Sequence, residues 1–266
     1  MTNTTEISET TDLGPNQRQD WVAEYIIQQG SVTVDDLVDR FNVSRMTIHR
    51  DLDELEKLGV LRKVRGGATA SPSPLFESDI RYREHVTTRE KEAIARYALT
   101  FIETGQAVML DDSTTTLGLA RMMKETKPLT VITNCLGIMK ELNEVKGIRL
   151  ISSGGEYMPR YDAFTGLICE KSLSSIRANL LFMSTSAVCG LLAFHQEQEI
   201  VKVKTIMMAS ATKKILLVDH TKIGKVALHR LAELSDFDLV IVDSGVDPIY
   251  VEEMRSAHIP IEIAPM

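Results

Sequence analysis

Cysteine is scarce in this chain, and so are aromatic residues, proline and long apolar runs. Cys135, Cys169 and Cys189 are widely separated and form no C-x-x-C pair. This excludes a disulfide framework and the usual zinc spacings, and an odd count of thiols suits burial in a reducing compartment. His195, His220 and His229 form no metal spacing, so no metal is expected; no cofactor is expected either. No apolar stretch approaches the ~18 residues of a membrane helix. The first 14 residues, rich in Thr, Ser and Glu, lack the basic start and apolar centre of a signal peptide. The expected setting is therefore the cytoplasm, with no membrane partner. Positive charge is also in the minority, since 30 Lys and Arg against 37 Asp and Glu leave a net charge of −7. A surface of that sign discourages loose, sequence-independent binding to nucleic acid.

What positive charge there is falls together. Arg40, Arg45, Arg50, Lys57, Arg62, Lys63 and Arg65 crowd into residues 37–67, LVDRFNVSRMTIHRDLDELEKLGVLRKVRGG. A first helix is predicted at about Val34–Phe41, with Thr33 as N-cap and Asp35 and Asp36 in its first turn. Asn42 and Val43 make a turn, and Ser44 caps the next helix. Ile48, Leu52, Leu55 and Leu58 recur at helical spacing and face a core. Gly59 stops the helix. Val60 and Leu61 open a strand lined by Arg62, Lys63 and Arg65, and Gly66-Gly67 turns the chain back. The whole is a winged helix-turn-helix, which presents a helix N-terminus and a wing to DNA. Ser44, Arg45, Thr47, His49 and Arg50 on the helix, with Arg62, Lys63 and Arg65 on the wing, are the predicted DNA contacts. The bland alternative is a helical hairpin with a solvated basic face.

The organisation around this segment follows from composition. Residues 1–14 read as a disordered tail. Residues 15–70 form the small domain, with Trp21, Val22, Tyr25 and Ile26 on the inner face of its first helix. Residues 71–90 are a linker that begins Ser71-Pro72-Ser73-Pro74. Residues 91–266 form a second domain, and a helix from Thr88 to Ile102 leads into it. From Ala107 short apolar runs alternate with helical stretches. Strands are predicted at Val108–Leu110, Leu129–Ile132, Arg149–Ile151, Leu180–Met183, Ile215–Val218, Leu239–Val242 and Ile261–Ile263. Helices are predicted at Thr115–Lys124, Leu136–Asn143, Phe164–Ser175, Glu197–Ala211 and Pro248–Ala257. Such alternation implies a mainly parallel α/β sheet covered on both faces.

Ligands of parallel sheets bind beyond the carboxyl ends of the strands. There the sequence places Asp111, Asp112, Ser113, Thr114 and Thr115, then Asn134, then Gly154 and Gly155, then Ser184 to Ala187, then Asp219 and Lys222. One turn of this kind is usually only a cap. Small polar residues at every strand end suit a polyol phosphate, with a carboxylate on hydroxyls and Thr hydroxyls and a lysine on phosphate.

The stretch VSRMTIHRDLDELEKLGVLRKVRGGA closely resembles the N-terminal signature of the DeoR family of bacterial transcription regulators. Ser44, Thr47, Ile48, Arg50, Asp51, Leu52, Leu55, Glu56, Gly59, Arg65, Gly66, Gly67 and Ala68 match it. Phe76, Arg83, Lys91, Ile94 and Ala95 match the bridge between the family's domains. Asp111 to Thr115, Thr133-Asn134, Gly154-Gly155, Gly166, Glu199 with Lys202, and Asp219 with Lys222 and Gly224 follow the family's later motifs in order. The resemblance implies an effector domain related to ribose-5-phosphate isomerase and adds Glu199 and Lys202 to the effector-binding candidates. It implies a repressor of a carbohydrate operon that binds double-stranded operator DNA, answers to a phosphorylated sugar and works as a homo-dimer or homo-tetramer. It implies no catalytic residue. His49 stands where the family has arginine, Asp112 where it has serine, Ser113 where it has glycine, and Asn179 where it often has Asp. Two alternatives stay open: a sugar-phosphate isomerase fused to a DNA-binding module, and a regulator that no longer binds a small ligand.

Overall fold

The computed structural model describes residues 15–70, 80–125 and 128–266. The expected tail at 1–14 and the Ser71–Pro74 linker with Phe76 lie outside the described residues. The chain divides into two compact units, Met1–Val86 and Thr87–Met266.

The first unit runs α1 Pro15–Gln29, β1 Ser31–Thr33, α2 Val34–Phe41, α3 Arg45–Lys57, β2 Leu61–Val64, β3 Gly67–Ala70 and α4 Ile80–His85. The predicted caps form. Thr33 Oγ1 accepts from Asp36 N at 3.1 Å, and Asp36 Oδ2 accepts from Thr33 N at 2.9 Å. This reciprocal box satisfies two orphan donors of α2. Asn42 turns the chain in the left-handed region at φ 48, and Ser44 Oγ caps α3 by accepting from Thr47 N at 3.1 Å. Gly59, at φ 71, lets the chain leave α3. Ile48, Leu52 and Leu55 are fully buried with Val22, Ile26 and Leu37. Trp21 departs from expectation: it is 38% exposed, while its neighbours Val22 and Ala23 take the inner face. The wing carries a strand the sequence did not announce, because β1 pairs with β3 to give the order β1-β3-β2. Residues 80–85 are helical where linker was expected.

The second unit opens with α5 Thr88–Leu99 and continues β4 Ala107–Leu110, α6 Thr114–Met122, β5 Leu129–Thr133, α7 Leu136–Leu142 and β6 Ile148–Ser152. Then come β7 Glu156–Met158, β8 Ala163–Thr165, α8 Gly166–Ser174, β9 Ala178–Met183, β10 Ala187–Cys189, β11 Leu192–His195 and α9 Gln198–Ser210. It closes with β12 Ala211–Val218, β13 His229–Glu233, β14 Leu239–Asp243, α10 Pro248–Ser256 and β15 Ile261–Ala264. All seven predicted strands pair in one parallel sheet of order β15-β14-β12-β9-β4-β5-β6. Successive strand residues point to opposite faces. Leu181, Met183, Leu216, Val218, Val240 and Val242 pack with α8, α9 and α10. Leu180, Phe182, Ile215, Leu217, Leu239 and Ile241 pack with α5, α6 and α7. Both faces are thus dry, which explains why the strands read as unbroken apolar runs.

Two small antiparallel additions were not predicted: the β7–β8 hairpin and the β10-β11-β13 sheet. The hairpin starts α8 at Gly166 rather than at Phe164, which instead pairs with Tyr157. No described helix is long and apolar enough to cross a membrane.

Candidate functional site

On the first unit, α3 turns its apolar stripe inward and leaves its N-terminal polar face outward. Ser44, Arg45, His49 and Arg50 are exposed and Thr47 is half-buried. The hydroxyls of Ser44 and Thr47 lie 2.9 Å apart, so both first serve the cap. Arg45 pairs with Asp35 across the turn, and Lys63 pairs with Asp53. Lys63 N also donates to Glu56 Oε1 at 2.7 Å, which ties β2 to α3. No ion pair involves Arg50, Arg62 or Arg65 among the described residues, and all three are exposed. Three predicted contacts are therefore uncommitted, and two must exchange an acidic partner before they can meet a phosphate. Met46, 73% exposed between Arg45 and Thr47, was missed from sequence. An apolar group there suits a thymine methyl.

Asp51 holds this surface in place. It is buried, and it takes a two-pronged grip from Arg18, Nε to Oδ2 at 2.6 Å and Nη2 to Oδ1 at 3.1 Å. Gln19 Nε2 adds a third bond at 3.1 Å. The hydrogen bond to Asp51 raises the Arg18 pKa further. The pair locks α1 against α3.

On the second unit, a buried polar row lines the carboxyl edge of the sheet. Asp111, Asp112, Ser113, Thr114 and Thr115 follow β4, Asn134 follows β5, Ser184 follows β9 and Asp219 follows β12, and all are buried. Asp111 is its anchor. Its Oδ1 accepts from Ser113 N at 3.1 Å and Thr116 Oγ1 at 2.8 Å. Its Oδ2 accepts from Ser184 N at 2.7 Å and from Lys204 Nζ. Four bonds exhaust the acceptor capacity of a carboxylate. Burial pushes the Asp111 carboxyl up, but the charge and hydrogen bond of Lys204, with Ser184 and Ser113, hold it below the usual carboxylate range. Lys204 Nζ also donates to Ser184 O at 3.1 Å and lies 3.5 Å from Asp112 Oδ1.

Lys222 Nζ donates to Ser184 Oγ at 3.1 Å and lies 3.7 Å from Asp219 Oδ2. Burial pushes Asp219 up too, yet the charge of Lys222, the Thr221 hydroxyl, Lys91 and His220 together hold it low. Beside it, His220 Nδ1 lies 2.7 Å from Asp243 Oδ2, and Asp243 also accepts from His220 N and Gly245 N.

Some expected contacts fall elsewhere. Glu199 and Lys202 pair with each other on the outer side of α9, with side chains 41% and 46% exposed. The lysine that enters the row is Lys204. It shares one side of α9 with Ile200, Val203 and Met207, and a lysine inside an apolar i, i+3, i+4, i+7 stripe is the signal that could have identified it. Gly154 serves a left-handed turn at φ +63, and Gly155 serves packing. A Cβ on Gly155 would stand 2.3 Å from Thr165 O, and the residue has φ +120. Ser113 caps α6 at φ −86, a conformation that needs no glycine. Asn179 sits at the opposite end of the sheet, where its Oδ1 accepts from Ala107 N at 2.8 Å. A hollow of about 440 Å³ lined by Gly105, Pro128, Gly147 and Arg149 also lies at those amino ends, away from the polar row. The Cys135 thiol is pushed up to about 12 by burial and so stays protonated. Among the described residues no cluster of His, Cys, Asp and Glu could hold a metal.

A winged helix joined to a parallel α/β unit with this polar edge defines a two-domain DNA-binding regulator. Residues 18–73 match the DeoR-like helix-turn-helix domain, and residues 86–244 match the DeoR C terminal sensor domain. The chain belongs to the DeoR family of transcriptional regulators. It is 30% identical over 266 residues to an Escherichia coli O157:H7 protein named as a repressor of the aga operon, covering 98% of each chain. It is 33% identical over 231 residues to the lactose phosphotransferase system repressor of Staphylococcus epidermidis, covering 86% of this chain and 92% of that one. Among solved structures it has a distant likeness to ribose 5-phosphate isomerase A from Methanocaldococcus jannaschii. That match has 15% identity and a TM-score of 0.37 over 50% of this chain and 53% of that one.

Proposed function

We propose that this chain represses a carbohydrate operon and that a phosphorylated sugar bound to the second unit changes its grip on operator DNA. The observation that carries this is the pairing, in one chain, of uncommitted arginines on a winged helix with a buried, incompletely bonded polar row on a sheet edge. Arg50 in the second turn of α3 reads a base edge or phosphate, and Arg62 and Arg65 hold the backbone beside it. Arg45 and Lys63 join when phosphates replace Asp35 and Asp53. Ser44, Thr47 and His49 complete the face. In the second unit Lys222 has two ammonium protons left for a phosphate once Ser184 has taken one. Thr115, at the start of α6 and near Asp112, adds a buried hydroxyl for the sugar. Asp112, Asn134 and Asp219 line the remaining wall, and Asp111, Ser113 and Lys204 frame it.

Binding without turnover is the reading the row favours. The loop Ser184–Val188 carries no acid, and Asp111 has no acceptor site free for a substrate proton. A two-fold operator calls for at least two copies of the chain. The test is selection of genomic fragments by the purified protein, with and without a mixture of sugar phosphates. Enrichment of a few repeated sites beside carbohydrate genes, lost or altered with the mixture, is expected. Absence of any enrichment, or isomerisation of an added sugar phosphate, would refute the proposal.

A further inference from the structure

Beside the Thr115 hydroxyl, the polar row contains three buried carboxylate or amide oxygens that accept no hydrogen bond from a described residue. Asp112 Oδ1, Asn134 Oδ1 and Asp219 Oδ2 have no hydrogen-bond partner among the described residues. Each residue is at most 2% exposed. The nearby lysines stand at ion-pair distance but spend their hydrogen bonds on other atoms: Lys204 Nζ lies 3.5 Å from Asp112 Oδ1 and bonds Asp111 and Ser184 O, and Lys222 Nζ lies 3.7 Å from Asp219 Oδ2 and bonds Ser184 Oγ. The chemistry of the three atoms is unambiguous. An ionised carboxylate only accepts, and the amide of Asn134 uses its Nδ2 to donate to Phe164 O at 3.2 Å, which leaves its oxygen as the group still to be bonded. Buried acceptors without partners are rare and costly, so each marks a place for a donor.

A phosphate cannot be that partner. It brings only acceptor oxygens and negative charge when ionised, and two of the three residues are carboxylates. A single ammonium cannot serve either. Asn134 and Asp219 follow β5 and β12, which are separated by β4 and β9 in the sheet. Three strand spacings amount to roughly 14 Å. The donors must be spread along the ligand, as hydroxyls on successive carbons are. Resting on the sugar-phosphate reading above, we propose that the ligand is recognised through its hydroxyl groups. A polyhydroxylated chain donates to Asp112, Asn134 and Asp219, and the phosphate lies toward Lys222, away from the first two. Asp112 is then a specificity residue, because it rewards a hydroxyl and penalises a phosphate or a bare methylene in its place.

The test uses the full chain in calorimetric titrations with pentose and hexose phosphates, their singly deoxygenated counterparts, and inorganic phosphate. For whichever hydroxylated member binds, removal of at least one hydroxyl should weaken binding by about tenfold or more, because it strands a buried acceptor. Inorganic phosphate should not compete. Asp112→Ala should erase one such penalty while Asp112→Asn, which keeps an acceptor oxygen, retains part of it. Neither change strands Lys204, which still has Asp111. Equal affinity for hydroxylated and deoxygenated ligands, or penalties untouched by Asp112→Ala, Asn134→Ala and Asp219→Ala alike, would overturn this proposal and leave the sugar-phosphate reading standing. Silence from the whole panel would overturn both.

Discussion

Lys204→Met should cost the second unit more stability than any surface change, and should do so with a distinctive pH dependence. Lys204 is 2% exposed and is the near cation for the fully buried Asp111 and for Asp112. Methionine keeps most of the side-chain volume, so the loss is electrostatic rather than a cavity. Breaking a buried pair by removing one partner costs about 3–5 kcal/mol. For a unit of this size that is a fall in Tm of roughly 6–20 °C. The pH sign follows from Asp111. In the native chain its folded pKa lies below the ordinary 3.8. Its stabilisation is therefore complete above the unfolded value and is lost as pH falls through the folded one. In the variant the burial that pushes Asp111 up is no longer opposed by Lys204, so its folded pKa rises above the unfolded value. The variant then gains stability as pH falls toward 4, while the native chain holds constant and later loses it. The gap between the two proteins narrows on acidification. Denaturation followed by far-UV circular dichroism from pH 4 to 8 measures this. Fluorescence would not serve, because the single tryptophan, Trp21, lies in the other unit. A loss below about 1 kcal/mol at pH 7, or a gap independent of pH, would refute the buried pair as the frame of the site.

Arg50→Ala should weaken operator binding by about 1–3 kcal/mol, and Arg65→Ala should lower the slope of log affinity against log salt by about 1. Fluorescence anisotropy with labelled operator tests both, and unchanged affinity in the two variants would mean that the interface lies elsewhere. Lys222→Ala should leave operator affinity intact and abolish the response to sugar phosphate; a normal response would remove Lys222 from the phosphate site. Gly155→Ala combines a left-handed backbone with a Cβ 2.3 Å from Thr165 O. It should destabilise by about 2–4 kcal/mol in urea unfolding, and a loss under 1 kcal/mol would show that the loop yields.

Most of the fold was legible because its signals are local or periodic. Thr33, Ser44 and Gly59 mark helix ends by their own chemistry, and seven apolar runs announce strands buried on both faces. Of the strands that escaped, β1, β7, β8 and β10 are three residues long, too short for a period of two to register, and β11 and β13 are only four and five. They exist because distant partners pair with them, as Ala68 does with Val32. The site was legible as a set of strand ends and illegible in its bonding. Nothing near Asp111 in sequence says that Lys204 will exhaust it, since the two are 93 residues apart. The same holds for Asp243, which meets His220 only because β12 and β14 are neighbours. Lys204 and Asp51 share a signal that sequence does carry. Each is a charged residue in an apolar helical stripe, Lys204 between Val203 and Met207 and Asp51 between Ile48 and Leu52. Burial at such a position demands a partner of opposite charge.

The most direct test of the account is linkage between the two units, measured in both directions on one operator. The dissociation constant of the operator is determined at fixed salt with and without a saturating sugar phosphate, and that of the sugar phosphate with and without saturating operator. The account predicts that each ligand changes the affinity of the other by the same factor, and that Lys222→Ala abolishes both changes. Operator binding that stays constant across every sugar phosphate able to bind the second unit would contradict it.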